Sequence, residues 1–282
     1  MKIELAESAG FCFGVKRAVD SVYRLAEEAE GDVYTLGPII HNEQVVQDLA
    51  EKGVHVIKTA DEIADPDRAT LVIRSHGVSR DVISKLEEKG ISYRDATCPF
   101  VKKIHDTVSL YSQKGYQVII IGSESHPEVQ GILGWTDGKG TVIETSEEAE
   151  GFSMTNSAQK ICIVAQTTFN YKKFQDLVEI IEKKGYDIYV VNTICNATSD
   201  RQKEAEKLAA RSEAMIVIGG KDSSNSRKLY EICKNQCANT FFIQTVDDLS
   251  SISLSSFTSL AITAGASTPN NIIQEVLRAC QI

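Results

Sequence analysis

Along the chain, short runs of β-branched and aliphatic residues alternate with longer amphipathic stretches. The apolar runs predict strands over 2–6, 32–36, 54–57, 70–74, 92–94, 117–122, 141–144, 161–165, 187–191, 215–219, 240–243 and 259–263. Several, such as 118–121, are hydrophobic without interruption, the pattern of parallel strands covered on both faces. The amphipathic stretches predict helices that include 15–29, 42–52, 79–89, 99–113, 171–184, 199–211 and 269–279. Alternation of this kind specifies an α/β fold with mostly parallel sheets.

A repeat lies over the alternation. Cys12, Cys98 and Cys195 each follow a strand-like run and precede a helical one. Counting from each cysteine, a polar residue follows at nearly constant distance: His41 after 29 residues, His126 after 28 and Ser223 after 28. A third layer follows, with His76 64 residues after Cys12, Thr167 69 after Cys98 and Ser267 72 after Cys195. All nine fall at or just beyond the expected carboxyl end of a strand, where open α/β sheets place ligands. The pattern predicts three similar α/β units, 1–95, 96–192 and 193–282, pointing their strand ends at a shared centre. Repetition of a βα unit within any α/β protein explains part of the regularity by itself.

Composition narrows the partners. With 282 residues, 42% of them hydrophobic, the chain is long enough for a large core or for two or three small domains. No run approaches the roughly 18 apolar residues of a membrane span, and the N-terminus has no signal-peptide succession, so no membrane association and a cytoplasmic location are expected. A net charge of −9 argues against nucleic acid, which binds to basic faces. Seven cysteines, an odd number, speak for reduced thiols, metal ligation or redox chemistry and against a disulfide framework.

Three thiolates from three units suit a threefold metal site, and soft sulfur selects zinc or an iron–sulfur cluster. Structural zinc commonly uses paired Cys-x-x-Cys spacing, which this chain lacks. Three cysteines without an obvious fourth instead suggest a four-iron cluster with one iron open. Cys162 lies in an apolar strand and Cys280 in the last helix, both read as packing. Cys233 and Cys237 stand at i, i+4 on a predicted helix face and are likewise read as packing, a metal or redox pair being the alternative. The ring of neutral groups is His41, His76, His126, Thr167, Thr168, Ser223, Ser224, Asn225 and Ser267. Helix N-termini follow most of them and favour phosphate or carboxylate, although the serines also read as N-caps. Glu128, two residues beyond His126, is either a proton donor or a first-turn glutamate favoured by the helix dipole. His55 and His105, outside the repeat, read as satisfied structural histidines.

The chain resembles the 4-hydroxy-3-methylbut-2-enyl diphosphate reductase (LytB/IspH) family. The matching segments are Gly10-Phe11-Cys12-Phe13-Gly14-Val15, Ile40-His41-Asn42, Ser75-His76-Gly77-Val78, Asp95-Ala96-Thr97-Cys98-Pro99, His126-Pro127-Glu128-Val129, Gln166-Thr167-Thr168, Thr193-Ile194-Cys195-Asn196-Ala197-Thr198, Ser223-Ser224-Asn225-Ser226 and Thr263-Ala264-Gly265-Ala266-Ser267. They run in family order over nearly the whole chain. The resemblance implies a pseudo-threefold trefoil of three α/β units around a 4Fe-4S cluster held by Cys12, Cys98 and Cys195, with the unique iron taking the substrate's allylic hydroxyl. It implies that His41, His76, His126, Ser223, Asn225 and Ser267 hold the diphosphate, and that Glu128, with Thr167 orienting hydroxyl and water, serves proton delivery. It also implies a ferredoxin- or flavodoxin-type electron donor; a monomer is the expected state. Two rivals are an aconitase-type lyase, which would call for arginine clamps where Arg74 alone lies near a strand end, and a non-enzymatic cluster or zinc scaffold.

Overall fold

The computed structural model describes residues 1–154 and 160–281. Its strands are β1 (Lys2–Leu5), β2 (Asp32–Leu36), β3 (Val54–Ile57), β4 (Ala69–Ile73), β5 (Tyr93–Asp95), β6 (Gln117–Ile121), β7 (Gly140–Ile143), β8 (Ile161–Ala165), β9 (Ile188–Val190), β10 (Ala214–Ile218), β11 (Thr240–Ile243) and β12 (Ser259–Ala264). The helices are α1 (Phe13–Glu28), α2 (Glu43–Glu51), α3 (Arg80–Glu88), α4 (Pro99–Gln113), α5 (Pro127–Leu133), α6 (Ser146–Gly151), α7 (Tyr171–Glu182), α8 (Asn196–Ala209), α9 (Ser224–Gln236) and α10 (Asn270–Cys280). Every predicted strand is present; α8 begins three residues earlier than its amphipathic pattern, directly behind Cys195. No helix among the described residues is long and apolar enough to cross a membrane.

The strands form three four-stranded sheets, all parallel, in the orders β3-β2-β4-β5, β7-β6-β8-β9 and β11-β10-β12-β1. The three orders are one permutation repeated, which bears out the reading of three similar α/β units. One strand departs from the expected 1–95 unit: β1 pairs with β12, Lys2 opposite Ser259 and Leu5 opposite Ile262. The reason is visible in the permutation. In the first two sheets the outer strand that leads into a cysteine corner, β5 or β9, pairs with the strand before it in sequence. In the third, that outer place is filled by β1, the strand that leads to Cys12, and Ile3 and Leu5 bury against the cluster of Ile262 and Ile273.

By contact density the chain divides into two compact units. One comprises Met1–Lys16, Ile40–Asp48 and Cys195–Ile282 and holds the third sheet; the other comprises Arg17–Ile39 and Leu49–Ile194 and holds the first two. The central strands are fully buried, as uninterrupted apolar runs require: Val118, Ile119, Ile120 and Ile121 of β6 and Ile216, Val217 and Ile218 of β10 have no exposed surface. Layers of helix cover both faces, for β6 the Ile104, Val108 and Ile132 cluster on one side and the Phe174, Leu177 and Ile181 cluster on the other.

The pairing of β1 is testable. Ile262→Ala removes a fully buried side chain from β12 and should cost about 2–5 kcal/mol. In hydrogen exchange the amides of Lys2 and Ala6, which donate to the carbonyls of Thr258 and Ile262, should then open together with β12. If they kept their protection while β12 lost it, the N-terminal strand would not belong to this sheet.

Candidate active site

Parallel strands all end on one side of their sheet, so each sheet collects its loops at its carboxyl edge. The corners are built alike. Each of Cys12, Cys98 and Cys195 is half-buried and accepts the first helical hydrogen bond, from Lys16 N, Lys102 N and Ser199 N at 2.9, 3.0 and 3.0 Å. They are the residues at which α1, α4 and α8 begin. Two are tied to the neighbouring strand end: Cys12 N–H donates to Ala266 O at 3.2 Å and Cys98 N–H to Ser75 O at 3.0 Å. A side-chain turn precedes two of them, Thr97 N–H on Asp95 Oδ1 at 2.9 Å and Ile194 N–H on Asn192 Oδ1 at 3.1 Å.

Arginines brace two corners from helices. Arg17 of α1 donates to Ala96 O at 3.1 Å and also to Thr97 O. Arg201 of α8, 3% exposed, donates to Gly10 O at 2.9 Å and to Ala264 O at 2.7 Å. Burial pulls the Arg201 pKa down, partly offset by the charges of Cys12 and Glu204. Gly10 makes the bend possible: its φ is +100°, and a Cβ there would lie 3.1 Å from Ile273 Cδ1. Sequence reasoning missed both arginines; their offsets of five and six residues behind a cysteine were the available signal.

The other four cysteines are buried in apolar clusters, Cys162 beside Val118 and Val164, Cys233 and Cys237 beside Leu208 and Leu229, and Cys280 beside Val276. Burial lifts the Cys162 and Cys233 thiols to about 12, and raises Cys280 as well. They behave as packing residues. Cys237 lies just past the end of α9 in extended backbone, so it shares no helix face with Cys233.

In the unit of the third sheet, the strand-end groups cluster at the start of α9. Ser223 caps the helix, accepting from Ser226 N at 3.3 Å and Ser226 Oγ at 3.0 Å. Ser267 Oγ lies 3.4 Å from Ser223 Oγ and donates to His41 O at 3.2 Å. Gly220 permits that approach, since a Cβ would come within 2.6 Å of the same His41 carbonyl. Asn225, 5% exposed, finds no hydrogen-bond partner among the described residues for either Oδ1 or Nδ2. A buried amide left this way costs about 1–3 kcal/mol unless a ligand completes it. Ser224 opens the helix beside it.

In the other unit, His76 and His126 stand edge to face with ring centres 5.4 Å apart. His126 caps α5 by accepting Glu128 N–H on Nδ1 at 3.2 Å, which leaves the proton of the neutral ring on Nε2 as a donor. Glu128 is 2% exposed; Thr167 N–H donates to its Oε1 at 2.6 Å and Thr167 Oγ–H to its Oε2 at 2.7 Å. Burial raises the carboxyl to about 7 against the opposing effect of both Thr167 hydrogen bonds. Thr168 is fixed by Gln166 Nε2 at 3.0 Å, and Gln166 in turn accepts Ser123 N–H. His105 stacks on Trp135 at 5.2 Å and burial lowers its pKa to about 4; it is structural as expected, yet its Nε2 has no partner among the described residues. His55 packs against Tyr34.

Comparison with known proteins gives the family of the chain. The family model described as LytB protein matches residues 3–281. The 4-hydroxy-3-methylbut-2-enyl diphosphate reductase of Caldanaerobacter subterraneus subsp. tengcongensis is 45% identical, covering 98% of this chain and 96% of its own. That of Clostridioides difficile is 44% identical over 98% of both. Among solved structures, one of (E)-4-hydroxy-3-methyl-but-2-enyl diphosphate reductase, described as the terminal enzyme of the non-mevalonate pathway, is 42% identical with a TM-score of 0.72, covering 100% of this chain and 99% of its own. The Plasmodium falciparum reductase is 28% identical with a TM-score of 0.93, covering 98% and 87%.

The burial of Glu128 has a pH signature. The carboxyl holds its proton to about pH 7 when folded and to about 4.5 when unfolded. Between these values the folded chain binds more protons than the unfolded one, so the stability linked to this group is complete below about pH 4.5 and is lost as pH rises through about 7. Glu128→Gln has no such group and should escape the loss, gaining on wild type by up to about 3 kcal/mol between those limits. Urea unfolding of both proteins at acid and at mildly alkaline pH measures it; parallel pH profiles would contradict the buried acid.

Proposed function

The chain belongs to the LytB family, and on that premise we propose how its own residues divide the work of a 4-hydroxy-3-methylbut-2-enyl diphosphate reductase. The reaction removes the allylic hydroxyl of 4-hydroxy-3-methylbut-2-enyl diphosphate as water, with two electrons and two protons, and yields isopentenyl and dimethylallyl diphosphate. It is the last step of the methylerythritol phosphate route. The family carries an iron–sulfur cofactor; here Cys12, Cys98 and Cys195 are assigned as ligands of a 4Fe-4S cluster with its fourth iron open. Their fit rests on three half-buried thiols at helix N-caps, against four cysteines buried as hydrophobes. When bound, the cluster supplies the electrons and a Lewis-acidic iron for the hydroxyl.

The observation that carries the reading is the buried Glu128–Thr167 pair. A carboxyl raised to about 7 keeps a proton to give at neutral pH. Thr167, donating to both oxygens, holds the group in place and stabilises the carboxylate left after transfer. His41, His76, His126, Thr168, Ser223, Ser224, Asn225 and Ser267 are assigned to the diphosphate, with Nε2–H of His126 and the unpartnered amide of Asn225 as the best-placed donors. Arg17 and Arg201 direct their guanidinium groups at backbone carbonyls, so neither serves as the arginine clamp that a lyase of carboxylates would need.

The substrate is a small-molecule diphosphate, and the reduction requires an electron donor. A ferredoxin- or flavodoxin-type protein suits a cofactor that takes electrons singly. A monomer is the proposed state, and thiol ligands suit the reducing cytoplasm.

Serine at Cys12, Cys98 or Cys195 should abolish iron retention and the brown colour, whereas serine at Cys162, Cys233, Cys237 or Cys280 should keep both; an intact cluster in Cys98→Ser sinks the ligand assignment. Glu128→Gln, assayed by single turnover with pre-reduced enzyme, should retain substrate binding but react about 10²–10⁴-fold more slowly. Equal rates would remove Glu128 from the mechanism.

A further inference from the structure

A cavity of about 580 Å³ opens beside the carboxyl ends of the first sheet, lined in part by Arg74, Lys58, Pro38, Val78, Val82 and Leu133. Gly37, Lys58 and Arg74, which follow β2, β3 and β4 directly, all face it. In the order β3-β2-β4-β5 the connection from β2 runs to one side and that from β4 to the other. The cavity therefore lies at the switch point of this sheet, the place where open α/β sheets bind ligands.

Its chemistry is that of an incomplete anion site. Arg74 has no ion pair, and its buried Nε has no hydrogen-bond partner among the described residues. Desolvation alone acts on the guanidinium, pulling its pKa down with no anion to offset it. Among the described residues no carboxylate lines the cavity. Gly37 makes room for the group: its φ is +72°, and a Cβ there would sit 2.2 Å from Arg74 Nη1. The Ser79 hydroxyl also lines the cavity and makes no capping bond to α3. Much of the remaining lining is aliphatic, with Pro38, Val78, Val82, Pro127 and Leu133.

This cavity is separate from the Glu128 site. Pro127, Gln130 and Gly131 of helix α5 and Gly134, which caps its end, line the cavity, whereas Glu128 meets Thr167. None of the assigned cysteine, diphosphate or proton-donor residues lines it.

We propose that the Arg74–Lys58 cavity is a second ligand site, which takes a small phosphate or diphosphate ester with a short aliphatic tail. The phosphate meets Arg74, Lys58 and Ser79, and the tail lies on the aliphatic wall. A prenyl diphosphate has this chemistry, so the product of the reaction is the natural probe.

Titration calorimetry of the cluster-loaded protein with dimethylallyl diphosphate tests the site. Two binding events per chain are expected, one removed by Asn225→Ala and the other weakened about tenfold to a hundredfold by Arg74→Gln and by Lys58→Gln. Lys58 is remote in sequence from every assigned substrate group, and Lys58→Gln should leave KM unchanged. Inorganic diphosphate should bind the second site more weakly than dimethylallyl diphosphate. The proposal is overturned if no event responds to both Arg74→Gln and Lys58→Gln, or if inorganic diphosphate binds there equally well. Two events that both survive Asn225→Ala, one of them still answering to Arg74→Gln and Lys58→Gln, would instead count against the assigned catalytic site and leave this one standing.

Discussion

Parallel pairing is the constraint from which the rest follows. A chain that pairs only parallel strands must return over a sheet face after each strand, so every strand ends in a loop on one edge and every helix starts there. In this protein those loops carry nearly all of the reactive residues. Cys12, Cys98, Cys195, the hydroxyls of Ser223 and Ser267, His126 and Thr167 all sit between a strand end and a helix start, and Glu128 is the second residue of α5. Polar side chains in such loops can be buried because N-termini and glycine-relieved backbone supply partners, as Ser223 and His126 illustrate.

The fold was largely legible because the central strands are uninterrupted β-branched runs, and burial on both faces requires that pattern. What the pattern could not reveal was which sheet β1 joins. Its partner β12 lies at the other end of the chain, and hydrophobic periodicity carries no information about pairing over that distance. The early start of α8 was hidden because Asn196, Thr198 and Ser199 lack an apolar period; the cap at Cys195 and the buried Thr198 set the boundary instead.

The candidate site was legible through the spacing of polar residues behind the cysteines, and the family resemblance supplied their roles. Its electrostatics were not. Nothing in the sequence distinguishes a first-turn glutamate in water from one that is 2% exposed and held by Thr167. The distinction decides the chemistry, because desolvation turns an ordinary carboxylate into an acid that is protonated near neutrality. Arg201 is similar: an arginine in an amphipathic helix reads as surface, whereas here its guanidinium is buried on the Gly10 and Ala264 carbonyls and coupled to Cys12.

Proton delivery by Glu128 thus depends on a carboxyl that still carries its proton near neutral pH. Infrared difference spectroscopy reads this directly, as the carboxylic C=O stretch present in wild type and absent from Glu128→Gln, followed as pH is raised. The band should persist through mildly acidic pH and titrate with a midpoint of about 7. A midpoint in the ordinary glutamate range, near 4.3, would contradict the account.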